Sequence, residues 1–105
     1  MEQVIDASIE YSDKTDVLVL WAEPAQAEWE PDPVDGLLCI FRGAAKDEVV
    51  GVEIVGFSKF KAWDKLQKLP VLWRMKGQKP LRTVDLLKHL QSTLKGRTEQ
   101  AAGLA

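Results

Sequence analysis

The sequence predicts an α+β domain: an antiparallel four-stranded β-meander followed by two helices packed on one face. Two observations carry that expectation. Apolar residues form alternating or continuous strand-like runs up to Val55, and recur with a spacing of three to four from Ala62 onward. The charge changes sign at the same boundary. Residues 1–57 hold three basic against thirteen acidic side chains, a net of −10, and residues 58–105 hold eleven basic against three acidic, a net of +8. The overall −2 therefore conceals two opposed fields, which either face each other or face different partners.

Residues 5–11 alternate, with Ile5, Ala7, Ile9 and Tyr11 on one face and Asp6, Ser8 and Glu10 on the other, as in a half-buried strand. Ser12, Asp13 and Asp16 then supply turn chemistry, because short polar side chains hydrogen-bond nearby backbone. Val17, Leu18, Val19, Leu20 and Trp21 are apolar on both faces, which suits a central strand covered on two sides. These two strands form a hairpin. Residues 22–36 are rich in Ala, Glu, Asp and Pro, and Pro24, Pro31 and Pro33 leave room only for a short edge strand near 27–30. Residues 37–41 and 49–55 are two further apolar runs around a reversal at Gly43, a second hairpin.

Beyond Gly56, Ser58 is placed to cap a helix whose apolar stripe is Ala62, Trp63, Leu66 and Leu69, with Lys61, Lys65 and Lys68 on another face and Pro70 as its end. Residues 71–80 read as irregular or briefly extended, with Gly77 and Pro80 as breakers. Thr83 caps a second helix with Asp85 in its first turn, an apolar stripe of Val84, Leu87, Leu90 and Leu94, and Gly96 as its stop. The organisation expected is one domain over residues 1–96, sheet 1–57 and helices 58–96, with 97–105 a flexible tail.

Residues 11–20, which run from Tyr11 through Asp13 and Asp16 to Leu20, are similar to the opening of a widespread family of small prokaryotic proteins of unknown function, the DUF2283 family. Gly51, Val52, Glu53, Ile54, Val55, Gly56, Phe57 and Ser58 resemble that family's Gly-Ile-Glu-Ile-Leu-x-x-Ser segment. The likeness covers residues of about 5–58 and nothing after Leu69. It implies a small β-rich domain with a following helix, sometimes encoded beside a toxin-like partner and suspected of an antitoxin role. It carries over no catalytic residues.

The longest uninterrupted apolar run, residues 17–22, is far short of the roughly 20 residues a spanning helix needs. The opening residues have neither a basic leader nor an apolar stretch, and Cys39 is the only cysteine, so the cytoplasm is the expected compartment. No cofactor is implied, because no phosphate-cradling glycine pattern is present. No metal is expected either, since one Cys and one His match no zinc spacing, and Asp13 and Asp16 are too few oxygens for a calcium loop.

Catalytic residues are not assigned. His89 and Asp85 stand one helical turn apart, but Ser8, Ser12, Ser58 and Ser92 lie in no nucleophile context, and a solvated helix face accounts for the pair. Cys39 reads as a small buried hydrophobe. Glu53 interrupts an apolar strand, where its carboxylate must reach water or a cation. Trp29, in the acidic loop, and Trp73, beside Arg74, have the least evident reason to be buried. Tryptophan is favoured at interfaces because it buries a large area and keeps one polar contact.

The function expected is a non-enzymatic protein–protein interaction module, antitoxin-like by resemblance and able to dimerise. Its acidic sheet or loop engages a basic protein through Trp29, Trp73 and Glu53. The alternative is nucleic-acid binding through Lys61, Lys65 and Lys68, where cations interleave with aromatic rings. A small enzyme with a pocket around Glu53 is a second alternative. Because the charge boundary is also the boundary between sheet and helices, pairing between the two halves is preferred over a nucleic-acid footprint.

Overall fold

β1 (Gln3–Ser12) and β2 (Val17–Ala22) form the expected hairpin, with Ile9 opposite Leu20 and Tyr11 opposite Leu18. The computed structural model describes residues 3–23, 28–44 and 48–104, and the backbone alone over 95–104. The second expected hairpin also forms, from β4 (Leu38–Arg42) and β5 (Val49–Val55), with a register shift between Phe41 and Arg42. Asp47 and two residues before it, part of the reversal expected there, lie outside the described residues.

The hairpins do not follow one another as a meander. β5 lies beside β2, and β4 beyond it; with β3 (Glu30–Pro33), β6 (Val71–Arg74) and β7 (Leu81–Arg82) the sheet order is β3-β4-β5-β2-β1-β6-β7. The connection after Ala22 leaves the place beside β2 to β5, the strand with the most buried residues, while β2 itself is the central strand of the seven. The connection also contributes β3 (Glu30–Pro33), an edge strand paired with β4 and three residues later than the one expected near 27–30, where Ala27 lies outside the described residues. Pro31 and Pro33 alternate along it. Both missing N–H groups therefore point to the free edge, where they block further strand addition.

The expected architecture is overturned most clearly after Gly56. The described residues form a seven-stranded mixed sheet with a single C-terminal helix, not a four-stranded antiparallel meander with two helices. Residues 57–69 make two 3₁₀ turns, Phe57–Lys59 and Trp63–Lys65, in place of a helix. Phe60 is extended between them and Ala62 is also non-helical, so the i to i−4 ladder never propagates. This arrangement buries Phe57, Phe60 and Leu66 on the sheet. Ser58 caps nothing; its hydroxyl donates to Asp16 at 2.7 Å.

Val71–Arg74, in the segment read as irregular or briefly extended, form β6, and Leu81–Arg82, just beyond that segment, form β7. β6 runs parallel to the first four residues of β1, while Ala7 to Ser12 pair with β2, so β1 is shared between two partners along its length. α1 (Thr83–Leu104) continues through Gly96, where a stop was expected. Leu86 and Leu87 anchor it on the sheet, with Val84, Leu90 and Leu94 partly buried beside them. The Gln91 amide donates to the Phe57 and Phe60 carbonyls at 2.8 and 2.9 Å, tying α1 to the crossover.

One face of the sheet holds the core: Ile5, Ala7, Leu18, Leu20, Ile40, Val52, Ile54 and Trp73, covered by α1 and the crossover. Asp16 locks its lower end. It adopts a left-handed conformation (φ 54°), which Asp tolerates better than most side chains. Its carbonyl accepts the Gly56 and Phe57 N–H groups at 2.8 and 3.0 Å, and its carboxylate takes the Tyr11 hydroxyl and the Ser58 N–H and hydroxyl.

Candidate functional site

Among the described residues, no helix lies over the opposite face of the sheet. Strand alternation places Ser8, Trp21, Gly51, Phe41 and Pro31 in one row across the face, and Glu10, Val19, Glu53, Cys39 and Pro33 in the next. Val17 and Val55 stand opposite each other in a third row. Val17, Val19 and Trp21 are half-buried and Val55 is exposed. The expectation of a second strand covered on both sides is therefore corrected: its apolar outer residues face outward.

Gly51 organises the middle of this face. A β-carbon there would lie 2.8 Å from the Trp21 ring, 3.0 Å from Phe41 and 3.1 Å from the Leu20 carbonyl oxygen. Glycine lets the two rings close over the strand, where they stack with centroids 4.7 Å apart. Trp29 sets edge-on against both, at 5.7 Å from Trp21 and 5.0 Å from Phe41, and remains 45% exposed. Beside the cluster is a groove of about 340 Å³ lined by Ser8, Glu10, Trp21, Ala22, Glu23, Trp29 and Val50.

No cation lines this groove, and neither Glu10 nor Glu23 is in a salt bridge among the described residues. Cys39 is half-buried on the same face, opposite Glu53, rather than in the core as expected. Burial, joined by the negative charges of Glu53 and Asp32, pushes its thiol above the usual range. The thiol is thus kept protonated and is a poor nucleophile at neutral pH.

The expected site residues separate. Trp29 and Glu53 share the open face. Trp73 does not join them, because it is fully buried in β6 and its indole N–H donates to the Thr83 hydroxyl at 2.8 Å. That contact supplies the polar partner a buried indole needs and employs the hydroxyl expected to cap α1. Glu53 lines neither this groove nor those beside Leu66 and Thr83 or beside Tyr11 and Thr15.

Lys61, Lys65 and Lys68 lose their common helix face, since no helix forms there. Lys65 pairs with Asp35 at the turn between β3 and β4. Arg74 pairs with Asp6 at 2.6 Å, so two ion pairs join the acidic half to the basic half. Each partner holds the other charged: Arg74 lowers the Asp6 carboxyl and Lys65 the Asp35 carboxyl below the usual range. Lys88 lies 5.8 Å from the Trp63 ring centroid. His89 and Asp85 are exposed on α1.

Sequence reasoning passed over Trp21, Phe41, Glu10 and Glu23. A signal was present in Gly51, a glycine inside an apolar strand, which marks a bulge or a close approach. No group of three or more potential metal ligands occurs among the described residues, and no helix is long and apolar enough to cross a membrane. Comparisons with protein-family models, curated proteins and solved structures found no match to the chain.

Proposed function

We propose that this protein is a non-enzymatic interaction module whose uncovered sheet face docks a basic segment of a partner protein. One observation carries the reading: an apolar face centred on Val19, Trp21 and Trp29 carries carboxylates that, among the described residues, are in no salt bridge and have no cation along their groove. Apolar surface supplies the drive for association, and the carboxylates select the sign of the partner. An isologous contact between two copies would set Glu10 and Glu53 against their own like charges, so a basic partner suits the face better than a second copy. A toxin-like partner, the kind implied by the family resemblance, is one protein of this description. Nucleic acid suits it poorly, because phosphates would meet carboxylates.

The test is affinity capture with the wild-type chain and with a Glu10→Lys/Glu53→Lys variant. The wild type should retain a stoichiometric partner, cross-linked to this face through a Lys/Arg-rich segment, and the variant should lose it. Absence of such a partner, or equal retention by both chains, would overturn the reading.

A further inference from the structure

The groove beside Trp21 combines features that the rest of the face lacks. Phe41 covers the Trp21 ring from the β4 side, while Ser8 stands opposite Trp21 on β1 and Glu10, opposite Val19, lines the same groove. Trp29 closes one flank, and Glu23, at the end of β2, places a second exposed carboxylate at the same groove. Ala22 and Val50 also border the groove, although their side chains belong to the core on the other face. Two indoles and two carboxylates, with no competing cation among the described residues, form an environment complementary to a positive charge carried on an aliphatic stem. An aromatic face attracts the cation through its quadrupole, the carboxylates add a Coulombic term, and the indole surfaces receive methylene groups.

We propose that this groove binds an alkylammonium group, the side-chain terminus of a lysine on the docked partner. The inference rests on the proposed docking face and adds its anchoring chemistry. A corner between rings inclined at 60° suits a compact ammonium head, whereas a planar guanidinium stacks best in a parallel-sided slot. N-methylation should not weaken the contact, because a methylated ammonium keeps its charge and loses hydration.

The experiment is an NMR titration of the full chain, with the four indole N–H signals assigned by single Trp→Phe variants. The probes are capped Gly-Xaa-Gly peptides in which Xaa is lysine, trimethyllysine, arginine or norleucine. Lysine and trimethyllysine peptides should move the Trp21 and Trp29 signals to saturation, and norleucine should leave them in place. Glu10→Gln/Glu23→Gln, two exposed changes, should weaken the lysine peptide about tenfold. Trp29→Leu should abolish the response with the remaining spectrum intact.

Equal shifts from norleucine, tighter binding of arginine than of lysine, or no effect of the double Glu variant would overturn the site. Oligolysine added separately tests the docking face through the Val19 and Glu53 amides. If those amides respond while the two indoles stay silent, the ammonium site fails and the docking face stands. If the indoles respond to the lysine peptide and the amides ignore oligolysine, the site stands and the face fails.

Discussion

The Ser58 hydroxyl donates to the Asp16 carboxylate at 2.7 Å, joining a turn in the first hairpin to the corner where the chain leaves the sheet for its crossover, 42 residues later. Tyr11 donates to the other carboxylate oxygen, also at 2.7 Å. This small polar knot sets where β1, β2 and β5 end relative to one another. It thereby aligns the rows of residues on the open face.

Tyr11 is the only tyrosine, so its ionisation can be followed directly by ultraviolet absorbance. Its hydrogen bond to Asp16, assisted by desolvation and nearby negative charge, pushes its pKa up to about 12. Folded protein should titrate there, whereas Asp16→Asn should bring the midpoint back toward about 10. Because the folded value is raised, the stabilisation is fully present below the unfolded value and fades as pH rises through the folded one. A wild-type midpoint near 10 under folded conditions would contradict the bond.

At the acid end Asp16 has the opposite sign. Burial raises its pKa, but the Tyr11 and Ser58 hydrogen bonds and the nearby Lys59 charge outweigh that and leave it lowered. Its stabilisation is therefore present above the unfolded carboxylate value and lost as pH falls through the folded value. Asp16→Ala should cost about 2–4 kcal/mol at pH 7, since it removes charge-assisted bonds and puts Ala in a left-handed position. Asp16→Asn should cost less and flatten the stability profile below about pH 4. Urea unfolding across pH checks both.

Thr83→Val preserves shape while removing the acceptor for the Trp73 indole. The orphaned N–H would sit in a fully buried environment. The expected loss is about 1–3 kcal/mol, seen as a lower urea midpoint with an unchanged m-value. A midpoint equal to wild type would show that the indole does not depend on Thr83.

Gly51→Ala should destabilise by about 1–3 kcal/mol, because its β-carbon meets rings and backbone rather than a movable side-chain tip. The Trp21 and Phe41 stack should open as well. Near-ultraviolet circular dichroism reports that change, and an unaltered aromatic signal would count against the close approach.

Strand existence was legible where a period of two (β1) or a continuous apolar run (β2, β4 and β5) extended over enough residues. β6 was not. Val71 to Arg74 is a four-residue run between Pro70 and Gly77, and its partner is the far end of the chain at Gln3. The helix expected near residue 60 failed for the complementary reason. Its apolar spacing is real and Leu66 is buried, but the same spacing is satisfied by 3₁₀ turns held at Ser58 and Gln91. Of the candidate site, Trp29 and Glu53 were legible as residues out of pattern. Trp21 was hidden in a run that looked like core.

The sequence by itself determined which segments alternate, where the charge divides, and that no catalytic or metal-binding constellation stands out from its motifs. These are properties of neighbours along the chain. Tertiary structure decided that β5 lies beside β2, that Trp73 is core while Trp29 stays open, and that one apolar sheet face is left uncovered. A period of two states that a strand has two faces. Which face the single helix and the crossover cover depends on long-range packing, because they carry enough apolar surface for one side of the sheet.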